Sequence, residues 1–510
     1  MPEEFFGKWL KKIKPQWKTA FISAAVFSFL THMYIFTNAW PHHDGLISIY
    51  TPQQGFEMGR FFLTPFSGVG SYFDLPWING ILSVFYLALT AVVLTELFGL
   101  KKKLSIVLVS GLLATFPVVS ATMSYMFTVD GYMLATLVTL LGLLVTRKYK
   151  YGFLPGAVLL YLGAGVYQAN FPLLLTVATV FLINEILSHG ISLRNFLSYI
   201  VRFGLLAFLG MAMYYLTFKI YTNLFSGQLH DYQGMDAVGG SETNLLQAFP
   251  LIWDGMIEYF FRGIFSELPV NLFEVLNVLL FILIGLSIAA AVIEKKIYLR
   301  GEMLAIAVIL TLSLPLSAYS LYFISPDIWY HFLMILSVIS FYLLPVVIYD
   351  NLVIPSGWTK SASWGVAILI SLIIFNFAVI ANISYLNMNL KFEKTQALAL
   401  RIVDRVEQTE GFNEDTPIAI YGSVPIDSEV STIIRQKIPP LTGSLQRVIL
   451  QDSRHFEAML DNYFGVTYNF IQDEDELSEI SRSEVYEEMD AWPAATSVQL
   501  NDGVLIIKLE

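Results

Sequence analysis

Apolar runs of roughly twenty residues, separated by short charged or Gly/Pro-rich stretches, recur from near the N-terminus to residue 386. The hydrocarbon core of a bilayer is about 30 Å thick, so a crossing helix needs about 20 mostly apolar residues. The pattern predicts spans at 19–40, 76–98, 104–122, 128–146, 152–169, 171–188, 196–222, 271–293, 302–320, 328–349 and 362–386. Lys8, Lys11, Lys12, Lys14 and Lys18 precede the first run as they would in a signal peptide. That run is too long, and no small-residue cleavage site follows it, so it is read as the first span.

The segments between spans differ in kind. With the lysine-rich N-terminus in the cytoplasm, alternation puts Lys101–Lys103, Arg147, Lys148, Lys150, Arg194, Lys295, Lys296, Arg300 and Lys360 on the cytoplasmic side, as the positive-inside rule requires. Eleven spans then leave the C-terminus outside. The outward loops 41–75 and 223–270 are long and rich in Gly, Pro, aromatics and acids. Within the second, residues 245–264 have helical periodicity, with Asp254, Glu258 and Arg262 along one polar face, which predicts a helix lying in the membrane interface. Reading it as a twelfth span would invert every later loop and break the charge pattern.

Composition agrees. Of 510 residues, 55% are hydrophobic and only 14% charged, and the mean hydropathy is +0.61, far from a soluble domain. Residues 387–510 are the exception, with 10 Lys/Arg and 22 Asp/Glu, a net of −12, against 20 and 19 in the rest. There, PIAIYG and SVQLNDGVLIIKLE read as strands, the latter a hairpin turned at Asn501, Asp502 and Gly503, and 391–409 and 473–489 read as helices. The expected fold is a mainly α polytopic membrane protein of about eleven transmembrane helices (1–386) with a small extracytoplasmic α/β domain (387–510).

The absence of cysteine excludes disulfides, thiolate metal sites and a cysteine nucleophile. No phosphate-cradling GxxxxGK, no GxGxxG after a strand, no HExxH and no serine elbow occurs; neither soluble nucleotide chemistry nor a nucleic-acid partner is expected. Polar groups do gather where spans meet the outer loops. His42, His43 and Asp44 follow the first span, with Glu57 and Arg60 further along. Ionisable groups at such depth are costly and tend to mark sites, though Asp44 as a helix cap and Glu57 with Arg60 as a local pair would serve structure alone. Asp130, Gly131 and Tyr132 open the fourth span, and Tyr167, Gln168 and Asn170 lie between the fifth and sixth. In SPDIWYH, residues 325–331, Asp327 is expected to cap the tenth helix with His331 one turn into it. An interfacial aromatic belt accounts for Tyr132, Tyr167 and His331 without any chemistry; an amide such as Gln168 needs partners.

Taken in order, these features resemble the bacterial type II glucosyl transferase family, within the membrane-embedded C-type glycosyltransferase superfamily. The resemblance is carried by Asp44 followed by Gly59 and Arg60, by FTVDGY at Phe127–Tyr132, by GVYQANF at Gly165–Phe171, and by the closing hairpin after AWPAATSVQLNDG. It implies a transferase in the bacterial cytoplasmic membrane. Such an enzyme takes a sugar, typically glucose, from a polyprenyl phosphate and adds it to a surface polysaccharide, teichoic acid or glycolipid outside. In the superfamily the first outer loop supplies an essential acid, usually among paired acids. Here His42 and His43 precede Asp44 instead, which leaves a divalent metal open while no other cofactor is implied. On this reading Asp44 is the candidate base and Arg60, then Arg262, the candidate contact for the departing phosphate. His43, Glu57, Asp130, Tyr132, Tyr167, Gln168 and His331 are candidates for binding substrate. Inversion at the anomeric carbon follows from single displacement. The rivals are a transporter or flippase of lipid-linked sugars, in which the same charges would gate, and a non-catalytic envelope scaffold.

Overall fold

The computed structural model describes residues 2–4, 7, 12–225, 245–324, 326–352 and 358–510. Lys8, Lys11, Ser325, residues 226–244 of the second outer loop and the Lys360 side chain lie outside the described residues. Among those described, nine helices are long and apolar enough to cross a membrane, and a bent pair makes a tenth. All eleven expected spans coincide with helices. The fifth is the short apolar helix Phe153–Val166, of 14 residues. The third is broken into Lys103–Thr115 and Pro117–Met123, bent by 43°. Phe116 at the break is extended, with φ −55° and ψ 134°, because a residue before proline is driven out of the helical region.

Several polar groups in the core pair with one another, as an interior without water favours. His32 lies 2.7 Å from both the Tyr385 hydroxyl and the Ala114 carbonyl, and the Tyr342 hydroxyl donates to Asn277 Oδ1 at 2.7 Å. The basic clusters converge at one end of the bundle. There Glu96 receives Lys14 at 3.0 Å and Lys148 at 2.8 Å, and the Asp350 carboxylate accepts from the amides of Lys101 and Lys102.

At the other end, the helix Ala248–Phe260 buries Ala248, Ile252, Met256, Tyr259 and Phe260 on one face, the periodicity expected of an amphipathic helix. The last span does not stop at the membrane end: Trp358–Glu407 is one continuous helix leading into the C-terminal region. That region has four strands, β1 (Pro417–Tyr421), β2 (Asn469–Phe470), β3 (Val498–Asn501) and β4 (Val504–Lys508), in the order β2-β1-β4-β3. The expected hairpin is β3–β4, antiparallel, while β1 lies parallel to β2 and β4. The helix expected over 473–489 is two short ones, Glu474–Ile480 and Glu484–Glu488.

The region is keyed to the bundle from both sides. Leu46 of the first outer loop, 1% exposed, belongs to the C-terminal hydrophobic cluster. In return, Ile434, Ile438 and Leu441 join the main core.

Candidate active site

The first outer loop turns at once after Pro41. His43–Leu46 is a single helical turn whose N-cap is His42, and the His42 Nδ1 accepts the Asp44 amide at 3.2 Å. Capping therefore falls to His42. Asp44 sits inside the turn, its carboxylate 3.1 Å from His43 Nε2 and its side chain 44% exposed.

Arg60 is positioned by a tight reversal. The turn Phe56–Met58 ends at Gly59 with φ 69°, a conformation glycine adopts without the penalty other residues carry. The Arg60 amide then donates back to the Gly55 carbonyl at 2.8 Å. Gln168 fixes the reversal from below, its amide donating to the Met58 carbonyl at 2.8 Å and to the Tyr214 hydroxyl at 2.9 Å. Tyr214 in turn donates to the Gly59 carbonyl at 3.2 Å. Gly165, at the head of GVYQANF, lets the Phe62 ring approach so closely that a β-carbon there would lie 2.5 Å from it.

Held this way, the Arg60 side chain donates to the Tyr132 hydroxyl at 3.2 Å and lies over the Tyr167 ring, 5.2 Å from its centroid. Tyr132 and Tyr167 stack at 4.9 Å. The ring faces attract the guanidinium and orient it.

A cavity of about 290 Å³ opens between these groups, lined by Asp44, Arg60, Tyr132, Tyr167 and His331 together with Ser48, Thr51, Gln53, Gln54, Tyr125, Phe127, Thr128 and Leu333. Its size is near the lower end of the roughly 300–1,000 Å³ usual for small-molecule sites. His331 Nδ1 is buried with no hydrogen-bond partner among the described residues. His331 also corrects an expectation: the tenth span begins at Phe332 as a 3₁₀ helix, so His331 precedes it in extended conformation and Asp327 is not its cap. The chain stays extended there and turns the imidazole toward the cavity.

The other five candidates are not among the lining residues. Glu57 lies exposed in the turn before Arg60. Asp130 is buried behind the wall, accepting from the Gly131 amide at 2.9 Å. Gln168 supports the Arg60 reversal. Arg262 is committed elsewhere: its guanidinium donates to the main-chain carbonyls of Arg435 (3.3 Å) and Ile438 (2.7 Å), joining the second outer loop to the C-terminal region. His43 faces that region too, with Nε2 3.3 Å from Gln446 Nε2 and its ring stacked 6.1 Å from His455. Sequence reasoning missed Gln446 and His455, about 400 residues from His43, for no periodicity or motif links them.

Burial holds His42 well below the ordinary imidazole range. It lowers His43 as well, where Asp44 pulls upward and His455 downward. Asp74, at the loop's end, is pushed up to about 7 by burial. The donor atoms of His42, His43 and Asp44 lie within 4.8 Å of one another and could hold a metal ion.

A helical bundle of this hydropathy is a multi-pass membrane protein, here with polar and aromatic groups converging on a cavity at one end. The chain belongs to the family described as Glucosyl transferase GtrII, which matches residues 33–347, more than half of its length and every candidate site residue. It is a membrane glucosyltransferase. No curated protein and no solved structure was matched by the chain.

Proposed function

We propose that the protein moves glucose from a polyprenyl-phosphate carrier to a cell-surface glycan at the outer face of the bacterial cytoplasmic membrane, in the cavity between Asp44 and Arg60. The acceptor hydroxyl oxygen attacks the anomeric carbon while Asp44 takes its proton. The bond from that carbon to the phosphate oxygen breaks, and the phosphate leaves with the electron pair. Arg60, held over Tyr167, meets the charge that develops on the phosphate where water is scarce and a guanidinium counts most. Attack opposite the leaving group inverts the anomeric centre. Tyr132 and Tyr167 offer apolar faces to the sugar, and His331 Nδ1 offers a polar contact that no described residue uses. A divalent ion at His42, His43 and Asp44 would add positive charge beside the donor.

The observation that carries this reading is the cavity itself: one carboxylate and one aromatic-oriented guanidinium face a common space. The basic clusters at the opposite end support a cytoplasmic N-terminus with the cavity and residues 387–510 outside. The C-terminal residues, as an extracytoplasmic domain, guide a polysaccharide, teichoic acid or glycolipid to the opening.

The test is incubation of the protein in vesicles with synthetic polyprenyl-phosphate glucose carrying a labelled sugar, and with candidate surface polymers. Transfer of label to polymer is expected. Movement of the donor across the bilayer with no transfer to any acceptor would overturn the proposal in favour of a flippase.

A further inference from the structure

A second cavity, of about 200 Å³, shares a wall with the first. Residues along that wall alternate between the two spaces. Asp44 lines the first cavity and Gly45 the second; Tyr125 and Phe127 line the first, Ser124 and Met126 the second. Other parts of the second lining come from distant places in the chain: Trp40 just after the first span, Asp74 at the end of the first outer loop, and Tyr463 of the C-terminal region.

Polar groups around this cavity lack partners. Asp74 Oδ1 is buried with no hydrogen-bond partner among the described residues, although the Asp74 amide is fixed by the Ile49 carbonyl at 2.8 Å. Neither the Trp40 indole N–H nor the Tyr463 hydroxyl bonds to another described residue. Tyr463 stands near Asp74, for burial and then the Asp74 charge push its phenol up. A hydrocarbon tail here would leave all three groups dry and unpaired, at a cost for each. An indole ring, a phenol and a carboxyl are matched instead by a ligand that has both apolar C–H faces and a rim of hydroxyls, and a sugar ring has both. Aromatic side chains with a polar tip suit such half-apolar partners. The lining contains one acid and no base, so a phosphate or uronic acid would sit beside Asp74 as an unpaired anion.

We infer that the second cavity holds one uncharged sugar ring of the acceptor, next to the acceptor residue whose hydroxyl reaches Asp44. Its role as an acceptor subsite rests on the proposed function; the binding of a neutral sugar depends on the cavity alone. The donor phosphate belongs in the first cavity, where Arg60 lies, because no guanidinium lines the second. The turn His43–Leu46 carries Asp44 between the two spaces.

Saturation-transfer NMR on the full chain in phospholipid nanodiscs, at pH 8 and without donor, reads sugar binding directly. The probes are the methyl glycosides of glucose, galactose, mannose and N-acetylglucosamine, with methyl glucuronide as the charged control. At least one neutral glycoside should bind the wild type. Tyr463→Phe, which removes only a hydroxyl, should weaken that binding by about 2–10-fold, the scale of one hydrogen bond. Asp74→Leu should abolish it, and methyl glucuronide should show no binding sensitive to Tyr463→Phe. A wild type that binds no neutral glycoside would overturn the inference and favour a hydrocarbon tail as occupant. Binding left intact by folded Tyr463→Phe and Asp74→Leu would place the sugar elsewhere and overturn it as well. No donor is present, so the two failures separate. A chain that binds no glycoside yet transfers glucose in an Asp44-dependent way removes the subsite alone, whereas Tyr463-dependent binding without transfer to any acceptor removes the proposed function and leaves the sugar site.

Discussion

Arg60 and Arg262 have the same side chain, both come from outer loops, and both have the chemistry to meet a leaving phosphate. Their surroundings separate them. Arg60 contacts the Tyr132 hydroxyl and the Tyr167 ring face beside a cavity. Arg262 is spent on two main-chain carbonyls of the C-terminal region. A guanidinium bound to carbonyls away from the cavity is an anchor, while one oriented by ring faces at the cavity is placed to meet a ligand. The first outer loop is therefore where chemistry is proposed, and the second where the C-terminal region is fastened.

Arg60→Ala should give the largest effect that separates the two, a fall in glucose transfer of about 100-fold or more, the scale of losing one charge-stabilising donor. Arg60→Lys should recover only part of it, because an ammonium lacks the planar fork. Equal transfer by Arg60→Ala and wild type would move the phosphate contact elsewhere. Gln168→Ala releases the reversal that presents Arg60, so transfer should drop about tenfold, since misplacement by about an ångström can cost as much or more. Donor headgroup preference should stay unchanged, as Gln168 is not among the residues lining the cavity; an altered preference would make it a lining residue.

Arg262→Ala should act on stability instead. Hydrogen bonds from a charged group contribute about 1.5–3 kcal/mol, so the C-terminal region should become protease-sensitive at lower temperature while turnover of intact protein stays within about twofold, on the scale of a group that makes no transition-state contact. A turnover loss matching that of Arg60→Ala would erase the distinction between the arginines.

The smallest effect belongs to Asp74. Its folded-state pKa is raised to about 7, so the folded chain binds that proton more tightly than the unfolded chain does. The stability this contributes is fully present below the ordinary carboxylate value of 3.8 and is lost as pH rises to about 7. Asp74→Asn should flatten the decline in Tm between pH 4 and pH 7 and raise Tm by a few degrees at pH 8. An unchanged pH profile would place Asp74 in contact with water.

How much of this could be read from the sequence follows from the range of each interaction. The spans were legible because each is a local stretch of apolar residues long enough for a bilayer. The 43° bend was not foreseen, although Pro117 was there to see; its extended predecessor only becomes a bend when both halves pack in one bundle. Asp44, Arg60, Tyr132, Tyr167 and His331 were each assigned to the outer side, and the fold brings those five to one cavity. Gln168 and Asp130 looked the same in sequence yet sit behind the wall, because burial direction around a helix end is set by tertiary packing. The capping role went to His42, a residue type seldom preferred at an N-cap. Nothing in the chain announced that Arg262 would reach Ile438, or that His455 would stack on His43.

The most direct test of the account is glucose transfer by Asp44→Asn from the lipid-linked donor. Asparagine keeps the size of the side chain and lacks the basic lone pair, and His42, not Asp44, caps the turn. The account predicts normal protein level and donor binding with turnover lower by about 100-fold or more, the scale of general-base loss. Wild-type turnover in Asp44→Asn would contradict it.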